Sequence, residues 1–137
     1  YGVPVYGSEK DAALAASASK NLWGVFCHDC KMTDYVDGID SFSVGGFSFG
    51  VMKTPGHTPG GVCYFIDDIM FSGDTLFKEC VGRIDLPGGD YREMMDSLSK
   101  IALIDKNYKI YAGHEEDTDL FHEFRFNPYL SAFKRNK

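Results

Sequence analysis

The sequence has no apolar run that approaches the roughly 20 consecutive residues that a membrane-spanning helix needs. It also has no excess of positive charge. Its net charge of -6 repels phosphate, which argues against nucleic acid and anionic membranes as partners. Internal repeats, low-complexity segments and linkers are missing as well. What is left is an ordinary globular composition, with 44% hydrophobic and 25% charged residues among 137.

A disulfide framework is not indicated by the spacing of the cysteines, and the chain is too large to need one, so we expect a reducing, cytoplasmic location. Two of the cysteines have the C-x-x-C spacing of half a zinc site. A second half-site does not follow, so reduced cysteines in a loop are the simpler interpretation. The four residues are Cys27, Cys30, Cys63 and Cys80.

Strand and helix patterns follow one another in a mixed order along the chain, which predicts one α/β or α+β domain over residues 1–137. Gly45-Gly46 and Asp67-Asp68 each predict a hairpin. Ser8 and Asp11 are placed to form a capping box for an alanine-rich helix, and Asp90 precedes a second helix. Strands are predicted at residues 3–6, 41–44, 47–53, 62–66, 69–72 and 109–112, helices at 8–20, after Asp90 and from Asp119 to Asn127-Pro128, and loop at 21–40.

Three predicted strands end in a turn where glycine directly precedes a side chain that can bind metal. The three side chains are His57, Asp74 and His114. Glycine permits a sharp turn and close backbone approach, so the next side chain can project from the end of the sheet. Imidazole and carboxylate are good ligands for Zn²⁺ or Fe²⁺, and a carboxylate can bridge two ions.

Each of these residues also has a simpler interpretation. A single histidine after glycine is usually a surface loop residue, and Asp74 followed by Thr75 can merely cap a turn. The shared pattern favours the metal interpretation, because three unrelated loops would not ordinarily repeat it. We therefore predict that the three side chains lie close together at one edge of the sheet.

At these positions the chain resembles the metallo-β-lactamase fold hydrolases, in particular their glyoxalase II-like branch. TPGHTPG at 54–60 resembles the motif that gives a histidine to the first metal, and SGDTLF at 72–77 the motif whose aspartate bridges both metals. AGH at 112–114 resembles the motif that gives a histidine to the second metal. GRIDLPGG at 82–89 and Asn-Pro at 127–128 are similar to the following loop and to a tail signature.

The family's H-x-H-x-D-H motif has no counterpart here, and His28 and His122 do not stand in such a pattern. The resemblance therefore implies the later part of a metallo-β-lactamase αββα sandwich, a mixed sheet with helices on its outer face, whose N-terminal segment is missing. The opening YGVPVYG fits a strand entered within a fold. The apolar face left bare would then be covered by another copy of the chain or by a retained N-terminal fragment.

The resemblance implies a hydrolase that attacks a thioester or similar activated carbonyl of a small-molecule substrate with metal-activated water. It also implies two zinc ions in the complete protein, with iron or manganese as alternatives, and a site of which this chain carries only part. Arg83 is a candidate for binding an anionic group of the substrate, or is simply a solvated or ion-paired arginine. The sequence singles out no other catalytic residue. Glu115-Glu116-Asp117 replaces the tyrosine common after the third motif in enzymes of glutathione thioesters.

Two other functions stay open at this point. The fold resemblance also includes persulfide dioxygenases, which hold one Fe²⁺ with two histidines and an aspartate. The absent motif equally allows a non-catalytic fragment or interaction module of the same fold.

Overall fold

The strands are short and most of them belong to one sheet. A computed structural model describes residues 2–20 and 26–134 of the chain. Its strands are β1 (Tyr6–Gly7), β2 (Asp34–Tyr35), β3 (Ser41–Val44), β4 (Phe47–Lys53), β5 (Val62–Ile66), β6 (Ile69–Gly73), β7 (Leu76–Phe77), β8 (Cys80–Val81), β9 (Lys109–Ala112) and β10 (Thr118–Asp119).

The main sheet has six strands in the order β10-β9-β6-β5-β4-β3. Only the β6–β9 pair in it is parallel. Both predicted hairpins are confirmed: Gly45 and Gly46 have positive φ angles of 58° and 83°, which suit a two-residue hairpin turn. In the second hairpin Asp67 also has a positive φ, of 52°. The pairs β1–β2 and β7–β8 stand apart from this sheet.

Four short helices are distributed along the described part of the chain. They are α1 (Ala12–Ala15), α2 (Tyr91–Ile101), α3 (Leu120–Phe126) and α4 (Pro128–Lys134), with 3-10 turns at Glu9–Asp11 and Ala18–Lys20. Helix α1 follows the first strand, α2 lies between β8 and β9, and α3 and α4 follow the last strand. Helix α2 was predicted from its pattern and is confirmed. Asp90 accepts a hydrogen bond from the Glu93 N–H at 2.9 Å. In the part of the chain that is described, no helix is long and apolar enough to cross a membrane.

One face of the sheet carries the core. Met70 on β6 pairs with Ile110 on β9, and both side chains are fully buried, as is Cys63 on β5. The helices supply the other half of this core through Met94, Leu98, Ile101, Leu120, Phe124 and Leu130. The predicted mixed α/β architecture is therefore confirmed, with helices on one face.

The opposite face of the sheet carries a row of aromatic rings. Tyr64 pairs with Phe71, and Phe71 pairs with Tyr111, on three adjacent strands. Phe42 stacks on Phe49 with ring centroids 5.3 Å apart. Phe71 is 40% exposed. Coverage of this face by another copy or a retained fragment stays a prediction.

The predicted helix over residues 8–20 is wrong in its continuity, because one α-helical turn lies between two 3-10 turns. Ser8 does cap the first turn, but Asp11 forms no capping box. Its carboxylate accepts hydrogen bonds from Thr58 Oγ1 and Gly60 N–H instead. Helix α1 buries none of its residues, so no packing stabilises a longer helix here.

Two further predictions needed correction. Strand β1 begins at Tyr6 rather than at residue 3, and it pairs with β2 inside the stretch predicted as loop; residues 21–25 of that stretch lie outside the described residues. The tail does not stop at Asn127-Pro128, because Pro128 is the first residue of α4. Proline is well suited to a first helical position, where its missing N–H would have no intrahelical partner. Leu130 then buries against the core.

Candidate metal centre

The structure brings the three predicted ligands together. Because β4, β6 and β9 run in the same direction, the turns that follow them meet at one edge of the sheet. His57 Nε2 lies 3.4 Å from Asp74 Oδ2, and His114 Nε2 lies 3.7 Å from the same oxygen. The geometric prediction from the three glycine turns is therefore confirmed, whereas the role of these residues as metal ligands stays a prediction.

Two of the glycines are required by the shape of this edge. Gly73 has a φ of 52°, a left-handed conformation that glycine adopts without steric cost. Gly113 lies so close to Asp74 that an added Cβ would overlap the carboxylate oxygen Oδ1. A side chain at Gly113 would displace Asp74 from its place between the two histidines, whereas a side chain at Gly73 would strain the backbone of the turn.

The His57 ring is oriented by a main-chain group. Its Nδ1 lies 2.7 Å from the Arg83 carbonyl oxygen, and because a carbonyl only accepts, Nδ1 carries the hydrogen. In the neutral ring the Nε2 lone pair then faces Asp74 Oδ2. Two electron-rich atoms this close are stabilised by a proton or a cation between them. Hydrogen bonding at the far ring nitrogen is the usual outer-shell arrangement of a metal-binding histidine.

The His114 ring is held less closely. Its side chain is 61% exposed, and its Nδ1 lies 3.3 Å from Glu115 Oε1. The ring packs on Phe77 with centroids 4.5 Å apart. Glu115 has a φ of 71°, so the chain turns sharply directly after the histidine.

The residues present fit a metal site in chemistry and spacing, although not in number. Two ligands each about 2.1 Å from a tetrahedral ion lie about 3.4 Å apart, which matches the His57–Asp74 separation. Within residues 2–20 and 26–134, however, no three His, Cys, Asp or Glu side chains converge closely enough to hold an ion by themselves. Each His–Asp pair is thus two ligands of a shell that needs further donors.

A cavity of about 560 Å³ opens over this edge of the sheet. Its volume lies within the range of small-molecule pockets. The three candidate ligands form one side, and residues 77–81 of the β7–β8 hairpin form a wall. Cys80 lies on this wall, and Arg83, Glu115 and Glu116 also line the cavity.

The Arg83 side chain makes a bidentate ion pair with Asp85, at 2.9 Å and 2.8 Å. The hydrogen bond and charge of Asp85 raise the pKa of the Arg83 guanidinium, and Arg83 lowers the pKa of Asp85 in return. This is the ion-paired alternative considered for Arg83, so substrate binding by its side chain stays a prediction. The sequence did not indicate the role of its carbonyl, since any residue supplies one.

Asp11 was also missed as a residue that supports the site. It accepts hydrogen bonds from Thr58 Oγ1 at 2.5 Å and Gly60 N–H at 2.8 Å, on the turn that carries His57. Thr58 and Gly60 lie 47 and 49 positions after Asp11 in the sequence, and no local pattern connects residues so far apart. The sequence therefore indicated only a capping role for Asp11.

Residues 5–114 match the model of the Metallo-beta-lactamase superfamily, a range that contains all three candidate ligands. The chain belongs to this superfamily. A probable metallo-hydrolase of Streptococcus pyogenes is 34% identical over 93% of the chain and 59% of its own length. The hydroxyacylglutathione hydrolase GloC of Haemophilus influenzae is 32% identical over 96% of the chain and 66% of its own length.

Solved structures agree with this placement. The BLEG-1 B3 metallo-beta-lactamase superposes with a TM-score of 0.83 at 30% identity, covering 96% of the chain and 66% of that protein. A protein solved in a di-iron-bound form gives a TM-score of 0.79 at 32% identity, covering 93% and 65%. The chain spans about three fifths to two thirds of the length of these proteins.

Proposed function

We propose that His57, Asp74 and His114 are metal ligands of a hydrolase, with Asp74 shared between two ions. One observation carries the proposal. Both Nε2 atoms face the same carboxylate oxygen, at 3.4 Å and 3.7 Å. The hydrogen bond from His57 Nδ1 to the Arg83 carbonyl supports it, because it leaves the Nε2 lone pair free for an ion.

When bound, the ions would supply Lewis acidity that lowers the pKa of water towards neutrality. The chain's own residues orient the donors and shape the pocket. Phe77 and Val81 give the wall apolar surface, while Arg83 and Glu116 place charges at the rim. We propose a small substrate with an activated carbonyl, such as a thioester. The name hydroxyacylglutathione hydrolase of one relative supports that substrate class.

The metal is proposed to be zinc or iron. Two imidazoles and a carboxylate suit both ions, so the donor set does not choose between them. One structural relative was solved in a di-iron-bound form, which supports iron as a candidate equal to zinc. Retained iron without hydrolase turnover would favour the persulfide dioxygenase-like alternative.

The remaining donors are proposed to come from residues outside this set. Three side chains cannot fill the shells of two ions, and the superfamily members compared above are longer than this chain. A preceding segment, a retained fragment or another copy of the chain are the candidates. The cytoplasmic location stays a prediction.

Metal analysis of single variants tests the ligand assignment. In the full protein, His57→Ala and His114→Ala should each lower the bound metal after dialysis, measured by inductively coupled plasma mass spectrometry. His28→Ala is the matched control, because His28 is exposed and contacts the Phe26 ring. Unchanged metal content in both ligand variants would contradict the proposal.

A further inference from the structure

The hairpin turn in the pocket wall has a sequence that does not favour the backbone conformation it adopts. Lys78 and Glu79 connect β7 to β8, and Glu79 has a φ of 58°. Two-residue hairpin turns usually contain glycine, asparagine or aspartate, which tolerate positive φ. Lys-Glu has none of these residues. Interactions from elsewhere in the chain must therefore select this conformation.

A buried carboxylate supplies one such interaction. Glu123 on α3 is 0% exposed. Its Oε2 accepts a hydrogen bond from the Glu79 main-chain N–H at 2.8 Å and another from Asn127 Nδ2 at 2.9 Å. Its Oε1 accepts a hydrogen bond from Thr118 Oγ1 at 2.6 Å. Burying a carboxylate is unfavourable unless donors surround it, and here three neutral donors do so.

A second side chain, one helical turn further on, holds the next residue of the hairpin. Asn127 is also 0% exposed, and its Nδ2 donates to the Cys80 carbonyl at 3.0 Å as well as to Glu123. The hairpin is thus held at Glu79 and at Cys80 by two adjacent buried groups. The Glu79 side chain adds a contact of 2.9 Å to His122 Nε2.

The residue type at position 123 fits this role. A carboxylate accepts at both oxygens, so it can receive the Glu79, Asn127 and Thr118 donors together. Glutamine has the same shape but would turn an NH₂ group towards one or more of these donors. The contacts therefore require an acceptor at both oxygens of residue 123, which a carboxylate offers and an amide does not.

We propose that Glu123, with Asn127, is a positioning residue that fixes the pocket wall beside the metal centre. The wall it fixes places Phe77 against the His114 ring, at 4.5 Å between centroids. Arg83 follows the wall two residues after β8 in the chain, and its carbonyl orients the His57 ring. That the wall shapes a substrate pocket rests on the proposed function, whereas the anchoring itself does not.

The first test uses Cys80 as a reporter. Cys80 is exposed on the wall, and Cys27 is exposed in another segment of the same molecule. In the full protein, Glu123→Gln should change the alkylation rate of Cys80 relative to Cys27 by at least about threefold, measured by peptide mass spectrometry. Glu93→Gln, the same substitution in the first turn of α2, should leave the ratio unchanged. An unchanged ratio in Glu123→Gln would overturn the proposal.

The second test separates positioning from general damage. Glu123→Gln, loaded with metal, should raise the KM for a small thioester about tenfold with kcat changed less than about twofold. A loss confined to kcat would overturn the role proposed for the wall. If His57→Ala keeps its metal while Cys80 reactivity still responds to Glu123→Gln, the proposed function fails and the anchoring stands.

Two further measurements apply if Glu123→Gln does not fold. Asn127→Ser removes the amide that donates to the Cys80 carbonyl. It should shift the alkylation rate of Cys80 relative to Cys27 in the same direction as Glu123→Gln does. In the unmodified protein, the Glu79 amide should exchange with solvent at least about tenfold more slowly than an unstructured amide, because it donates to a buried carboxylate. Exchange at the unstructured rate would overturn the proposal without any variant.

Discussion

The two histidines of the site stand on turns of very different construction. The His57 turn is held by hydrogen bonds from three other parts of the chain. Asp90 N–H donates to Gly56 O at 2.8 Å, Ser97 Oγ donates to Pro55 O at 2.7 Å, and Asp11 receives the Thr58 hydroxyl. The His57 side chain itself is only 22% exposed.

The His114 turn has fewer restraints. Gly113 N–H donates to Gly73 O at 2.8 Å, but the residues that follow are exposed and acidic. Their ion pairs, Lys78–Glu116 and Lys109–Asp117, lie at the surface, where such pairs contribute little. The difference indicates that the chain fixes the His57 turn more firmly than the His114 turn. We therefore expect the position of His114 to depend more on the proposed metal or on other residues.

Asp74 belongs to both halves, so its loss should have the largest effect. Asp74→Asn should lower metal affinity by more than about 100-fold, beyond the loss expected from removing an outer-shell partner. Equilibrium dialysis with zinc and with iron measures this, and Asp105→Asn on an exposed loop is the control. A loss no greater than that of His114→Ala would show that the two halves do not share Asp74.

Removal of the Asp11 anchor should have an intermediate effect that separates the two turns. Asp11→Ala breaks two hydrogen bonds to a charged acceptor, so the free energy of unfolding should fall by about 2 kcal/mol in urea titrations. Metal affinity should fall about tenfold through the displaced His57. Glu9→Ala, at an exposed neighbouring position, is the control. Glu115→Ala, beside His114, should change affinity by less than about threefold; an equal or larger loss would contradict the difference between the turns.

The smallest effect is expected at Asp119, which caps α3 downstream of His114. The hydrogen bond from the His122 N–H lowers the pKa of the Asp119 carboxyl, with smaller contributions from Asn107 and Phe121. Asp119→Ala should lower the free energy of unfolding by about 1 kcal/mol at pH 7.

Because the folded pKa of Asp119 is the lower one, this stabilisation is present above the unfolded pKa of about 3.9. It is lost as the pH falls through the folded pKa. Urea titrations of both proteins from pH 7 to pH 3 should therefore converge in the acid range. A difference that stays constant to pH 3 would show that the cap does not act through the carboxylate.

Local signals made much of the fold predictable. The Gly45-Gly46 hairpin and the capped, amphipathic helix after Asp90 depend on neighbouring residues, and both were predicted correctly. The helix at 8–20 and the strand β10 depend on distant contacts. The helix propensity of the alanine-rich segment could not show that Asp11 would accept a hydrogen bond from the His57 turn. No residue pattern near Thr118 showed that it would pair with Ile110.

The candidate site divides in the same way. His57, Asp74 and His114 could be predicted because each follows a glycine at the end of a strand. The Arg83 carbonyl contacts the His57 ring 26 residues away, and the Glu123 carboxylate contacts the Glu79 N–H 44 residues away. Neither contact can be read from the local sequence. The sequence therefore indicates the candidate ligands, whereas the structure shows the groups that orient their side chains.

Anomalous diffraction from crystals of the metal-loaded full protein tests the central claim most directly. The proposal predicts a peak at the metal's absorption edge about 2.0–2.2 Å from His57 Nε2 and Asp74 Oδ2, and a second peak at a similar distance from His114 Nε2. Metal peaks at Cys27 and Cys30, with none beside Asp74, would contradict it.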